Sequence, residues 1–132
     1  MRAALAGRPE MREILAARDP ATRARLAARL GSRVLLRLYP FYRVFEEGAA
    51  TDPVLREAWR DCQRRRHADT GQFVRAVADA GGLRPGLTVE RATDTLRALV
   101  GWHPVALLIE ERGWAEEQLT EWLEDVLVAL LT

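Results

Sequence analysis

The sequence predicts an all-α fold, a bundle of five to six helices, on three observations. Apolar residues recur at spacings of three and four nearly throughout, with no strand-like alternation of useful length. Asp-Pro occurs at Asp19-Pro20 and again at Asp52-Pro53, joining a capping carboxylate to a residue whose fixed φ suits the first helical turn. Glycine and proline then punctuate the chain at helix-length intervals, at Gly48, Gly81-Gly82, Pro85-Gly86 and Gly113.

A short first helix is expected over Pro9 to Arg18. Asp19-Pro20 opens a long second helix running to Glu47, with Leu26, Leu30, Val34, Leu38, Phe41 and Phe45 as its apolar stripe and Gly48 as its stop. Pro40 removes a backbone hydrogen bond within it and predicts a kink. Asp52-Pro53 opens the third helix, which carries Leu55, Trp59, Cys62, Phe73, Val77 and Ala80 and stops at Gly81-Gly82. Arg84-Pro85-Gly86 reads as a turn, after which Thr88 caps a fourth helix and Glu90 complements its dipole. Gly101-Trp102-His103-Pro104 interrupts that helix, because the residue before a proline is pushed out of helical geometry, and a restart is expected at Pro104. Gly113 ends the restarted segment. The last helix presents Leu119, Trp122, Leu123, Val126, Leu127, Leu130 and Leu131 at spacings that keep them on one side.

A chain of 132 residues is read as one domain, long enough to bury a core. Its formal charge of +1 sets up no global field favouring nucleic acid or membrane. All 20 basic residues are Arg, a bias expected of GC-rich codons and so of a bacterial source. A lone Cys62 excludes an intramolecular disulfide and fits a reducing cytoplasm. No apolar run approaches the roughly 18 residues of a membrane span, and Met1 to Pro9 lacks a signal-peptide core, so a soluble, cytoplasmic protein is expected.

The closing helix has an acidic outer face (Glu116, Glu117, Glu121, Glu124, Asp125), and Val128 and Ala129 widen its apolar side beyond what one neighbouring helix covers. It is either a core helix of a monomer or half of a twofold interface. In the second case the last two helices meet their symmetry mates as a four-helix dimer interface, built on Val105, Leu108, Ile109, Leu119, Trp122, Leu123, Val126, Leu127 and Leu130, with Trp122 as anchor.

Polar residues also break the apolar stripes. Arg66 and Asp69 fall between Cys62 and Phe73 at a spacing that lets them pair, and Arg33 and Arg37 lie beside Val34 and Leu38. Their stems either pack while their heads reach water, or Arg37 or Arg66 meets an acidic or polar ligand group. Aromatic residues cluster at both helix interruptions, Tyr39-Pro40-Phe41-Tyr42 and Trp102-His103-Pro104, where splayed helices leave room for a cavity or the rings fill the core. The candidate ligand-binding residues are Arg37, Tyr42, Trp59, Cys62, Arg66, Asp69, Trp102 and His103. The basic run Arg60, Arg64, Arg65 and Arg66 lacks interleaved aromatics and reads as a solvated face. His67, His103 and Cys62 match no metal-ligand spacing, and no nucleophile, phosphate loop or catalytic pair is at motif spacing. No enzymatic activity, metal or cofactor is expected.

The run from Ala50 to Leu131 resembles the ligand-binding, dimerising C-terminal domain of tetracycline-repressor (TetR) family transcriptional regulators. The similar elements are Asp52-Pro53, the Arg-rich centre at Arg64 to Arg66, Gly82-Leu83-Arg84-Pro85-Gly86, Val89 to Leu96, Glu111-Arg112-Gly113-Trp114 and Trp122-Leu123. Residues 1 to 49 fit the family only as generic helices. The chain departs from the family at Arg97, where a bulky residue is common, and at the Gly101 to Pro104 turn. The resemblance implies a homodimer, a small-molecule effector held between the central helices, and transcriptional control through DNA-binding heads. The three-helix head is not expected within this sequence, nor is direct DNA contact by this chain. A helical homodimeric interaction module with no small-molecule ligand is the alternative expectation.

Overall fold

A computed structural model describes residues 9–132, and every regular element among them is helical. In chain order these are α1 (Pro9–Ala16), α2 (Pro20–Ala49), α3 (Pro53–Asp79), α4 (Val89–Leu99), α5 (Trp102–Ala106) and α6 (Glu116–Leu131). A π-helical turn (Leu107–Glu111) continues α5 without a break. The fold is therefore an all-α bundle. The expectation about a signal-peptide core falls, Pro9 apart, outside the described residues. Among those described, no helix is long and apolar enough to cross a membrane.

The start signals act as their chemistry requires. The Asp19 side chain accepts from Thr22 N at 3.2 Å, and Asp52 Oδ1 accepts from Val54 N and Leu55 N at 2.9 and 3.4 Å. Thr88 Oγ1 accepts from Arg91 N at 3.1 Å, and Gln118 Oε1 accepts from Ala115 N ahead of α6 at 2.8 Å. At the end of α3, Gly81 takes φ +78° while Gly81 N bonds Ala78 O and Gly82 N bonds Val77 O, each at 2.9 Å. This pair of reversed bonds satisfies carbonyls that the helix end leaves open, and the left-handed residue it needs is a glycine. The Arg84 to Leu87 turn closes with Leu87 N on Arg84 O at 3.1 Å.

Several boundaries differ from the sequence reading. α1 ends at Ala16, two residues before Arg18, and Arg23 reaches back to bond Ala17 O at 2.8 Å. Gly48 does not stop α2, which runs to Ala49. Its role is close approach instead: a Cβ at Gly48 would lie 2.8 Å from Leu55 Cδ1. α2 also continues through Pro40 as one helix. The restart after α4 comes at Trp102 rather than Pro104. Pro104 thus sits within the first turn of α5, where a missing N–H leaves no helical bond unmade.

The core lies where α2 packs against α6, with α3, α4 and α5 around it. It contains Ala24, Ala28 and Leu35 of α2, Val74 and Val77 of α3, Ala92 and Leu96 of α4, Val105 of α5, and Leu119, Leu123, Leu127, Leu130 and Leu131 of α6. The buried face of α2 is thus a small-residue seam, and the expected stripe lies beside it. Leu26, Leu30, Val34, Leu38 and Phe45 are half-buried, and Phe41 is exposed. Helix axes can approach closely only where side chains are small, and Leu123 Cδ1 comes within 3.9 Å of the position a Gly31 Cβ would take. On α3 the N-terminal half turns outward, with Leu55 exposed and Ala80 exposed at the cap, while Val74 and Val77 are fully buried.

Candidate functional site

The larger residues displaced from the α2 seam form one wall of a cavity of about 210 Å³. Leu30, Val34 and Leu38 face Phe73 of α3, Leu96 and Val100 at the end of α4, and Leu123 and Leu127 of α6. Met11 and Ile14 of α1 complete the apolar lining, both nearly fully buried. Among the described residues the polar lining comes from two helices: Tyr42 of α2, and Arg66, Asp69 and Thr70 of α3. Their spacing with Phe73 places them on one face of α3. An apolar chamber with a few convergent polar groups is the usual form of a small-molecule site.

The polar groups are held by specific contacts. The Arg66 guanidinium lies 4.6 Å from the centroid of the Tyr42 ring, in the geometry of a cation–π pair. Trp59 buttresses Tyr42 edge-on at 6.2 Å and meets Phe45 at 5.1 Å. Thr70 Oγ1 donates to Arg66 O at 2.9 Å. From α4, Arg97 donates to Gln63 Oε1 at 2.8 Å. Burial first, and the nearby positive charge of Arg66 second, lower the Arg97 pKa from its usual value. The Gln63 Nε2 atom is buried without a hydrogen-bond partner. Asp69 has an interaction of its own.

Of the eight candidate ligand residues, Tyr42, Arg66 and Asp69 line the cavity together. The other five stand outside its lining. Arg37 is exposed on α2, because it lies on the far side of the helix from Leu35. Trp59 meets the site through its ring contact with Tyr42, and Cys62 is half-buried on α3. Trp102 stacks at a tilt on His103, 3.8 Å between centroids, with the Arg43 guanidinium 5.6 Å from its ring centre. His103 Nε2 meets Glu46 Oε2 at 2.8 Å on the surface. Arg66 makes no ion pair with a described carboxylate; the expected Arg66–Asp69 pairing gives way to the Tyr42 ring. The basic run splits accordingly, Arg64 and Arg65 pairing with Asp61 on the outer face while Arg66 turns inward.

Thr70, Met11 and Ile14 line the cavity and were not singled out for it, while Gln63 and Arg97, which contact each other, stand outside the lining. Arg97 carried a readable sign: it falls four residues after Thr93 on the inward face of α4, where a charge is out of place. Nothing local marks Gln63.

The expected dimer interface divides. Val105, Leu119, Leu123, Leu127 and Leu130 are consumed by the subunit's own core, so they offer no surface to a partner. Leu108, Ile109, Trp122 and Val126 are half-buried, and Leu107 is 47% exposed. At about 100° per residue, Trp122, Val126 and Ala129 fall on one flank of α6 beside the buried leucines. Among the described residues no group of three or more His, Cys, Asp and Glu side chains is placed to hold a metal ion. Comparison with protein-family models, curated proteins and solved structures finds no match.

Proposed function

We propose that this chain is a non-catalytic, ligand-sensing and dimerisation domain, of the kind the TetR resemblance implies, which takes a small-molecule effector into the cavity between its helices. The observation that carries the reading is the cavity itself, about 210 Å³ with apolar walls and polar groups confined to the Tyr42, Arg66, Asp69 and Thr70 side. That volume lies below the roughly 300–1,000 Å³ of drug-sized pockets, so the effector is small. A bacterial cytoplasmic regulator is the setting the proposal implies, with any DNA contact made outside this chain.

A ligand moves a conformational equilibrium only by its differential affinity for the two states. Leu123 and Leu127 line the cavity from α6, while Trp122 and Val126 stand on the adjoining flank of the same helix. Occupancy of the cavity and the position of that flank are therefore set by one rigid element, which gives a route from effector to subunit spacing. The alternative, a homodimeric interaction module with no ligand, draws on the same flank together with exposed Leu107.

Calorimetric titration with an uncharged apolar probe, 1-octanol, separates the two. Saturable binding that disappears in Val34→Trp, which fills the cavity, is the result expected of the sensor. Heats that are absent, or unchanged by that substitution, would leave the interaction module as the better reading.

A further inference from the structure

We infer that the effector is a small uncharged amphiphile, a hydrocarbon body ending in a hydroxyl group, whose polar end meets the Arg66, Asp69 and Thr70 edge of α3. This rests on the ligand-sensing reading above and adds the chemical class of the ligand.

Charge decides the first part. Among the described residues the cavity lining carries two charged side chains, Arg66 and Asp69, and they are opposite in sign. They stand three residues apart on one face of α3, a spacing that sets Cβ atoms about 5–6 Å apart. A ligand carboxylate drawn to Arg66 therefore comes up against the Asp69 carboxylate. A ligand ammonium drawn to Asp69 comes up against the guanidinium. Neither side chain waits for a ligand charge: Arg66 lies over the Tyr42 ring at 4.6 Å, and Asp69 has an interaction of its own. That face of the ring is also closed to a ligand cation by Arg66. A charged ligand would thus give up its water without gaining a partner of its own, whereas a neutral one loses little.

Hydrogen bonding decides the second part. The Arg66 guanidinium only donates, and the Asp69 carboxylate only accepts. Thr70 spends its one hydroxyl hydrogen on Arg66 O, so its oxygen is left to accept. A ligand group meeting such an edge must both donate and accept, and a hydroxyl is the smallest that does. Away from this edge and Tyr42 the lining is apolar, from Met11 and Ile14 to Leu127, which suits a hydrocarbon body. The volume of about 210 Å³ keeps that body small.

The test is calorimetric titration of the full chain with 1-octanol, 2-octanone, octanoate and octylamine near neutral pH, where the last two are ionised. 1-Octanol should bind about ten-fold or more tightly than either ion. It should also bind about three-fold more tightly than the ketone, which accepts but cannot donate. Arg66→Gln leaves Asp69 as the charge of the lining and should tighten octylamine about three-fold. Asp69→Asn leaves Arg66 and should tighten octanoate about as much. Thermal melts check that the variants fold; where one does not, the other decides, and where neither does, the wild-type comparison decides. An ion that matches 1-octanol on the wild type, or ion affinities that no folded variant moves, overturns the uncharged class. Equal binding of 2-octanone and 1-octanol overturns the hydroxyl. Each of these results leaves ligand sensing in place. If none of the four probes binds the wild-type chain, the ligand class and the sensor fall together.

Discussion

Asp52 accepts two backbone N–H groups with one oxygen, and no other described side chain caps the start of α3. Asp52→Ala should therefore destabilise the fold by about 1 kcal/mol, lowering Tm by roughly 4 °C in a thermal melt. Asp19 performs the same task at α2, and there the bonds from Thr22 hold its carboxyl below the ordinary value. A lowered folded pKa means that the native state binds its proton less readily than the unfolded chain. The stabilisation is then complete above the unfolded value of about 3.9 and drains away as pH falls through the folded one. Asp19→Ala should consequently flatten the fall in Tm below about pH 4; an acid limb identical to wild type would show the cap to be irrelevant. These caps were readable because a capping bond closes within three residues. The Arg97–Gln63 contact spans 34 residues and two helices, and depends on how α3 and α4 settle against one another. Arg66 and Asp69 were legible as polar interruptions of an apolar stripe and Tyr42 as part of the aromatic cluster at Pro40, whereas Gln63, lying on a half-buried flank, interrupts nothing.

Helices were legible in number and order because start and stop chemistry is local, yet the face that α2 buries was not. Side-chain hydrophobicity weights Leu above Ala, so the pattern picks out Leu26, Leu30, Val34 and Leu38. Packing against α6 selects Ala24, Ala28 and Gly31 instead, because they let the two axes approach. The large residues are left to flank the seam, and the cavity is the space they fail to fill. Two glycines separate close approach that matters from close approach that does not. A Cβ at Gly82 would meet Arg23 Nη1 at 2.5 Å, Val77 Cγ1 at 2.9 Å and the Val77 carbonyl at 3.2 Å, with Arg23 and Val77 both buried. Gly82→Ala should cost about 1–3 kcal/mol, seen as a lowered denaturation midpoint. At Gly48 the close atom among the described residues is the far end of Leu55, which is 39% exposed and free to swing away. There the gain in helix propensity, about 1 kcal/mol, should prevail, leaving Gly48→Ala as stable as wild type or more so.

At the scale of the whole molecule, the core decides which surface is left for one chain to meet another. The leucines expected at a subunit interface hold the monomer together, and truncating Leu123 should cost about 2–5 kcal/mol whether or not the chain pairs. A twofold contact through α6 must instead use what the core leaves over on that helix: the Trp122, Val126 and Ala129 flank, with Leu107 on the neighbouring turn. Trp122 packs partly on the core, so substitution there confounds folding with association. Val126 does not belong to the side chains packed on that core, and is the cleaner probe. Glutamate at this position remains solvated in an isolated subunit. In a twofold contact it faces its own symmetry mate, or the acidic run of Glu121 and Asp125, and a buried like charge is strongly unfavourable. Light scattering should give the wild type about twice 14.9 kDa and Val126→Glu about one chain, with the variant still helical. A Val126→Glu protein that keeps twice the chain mass would move the contact off this flank. A wild type that is monomeric at every accessible concentration would remove the dimer altogether, yet would leave the cavity and Arg66 as they are.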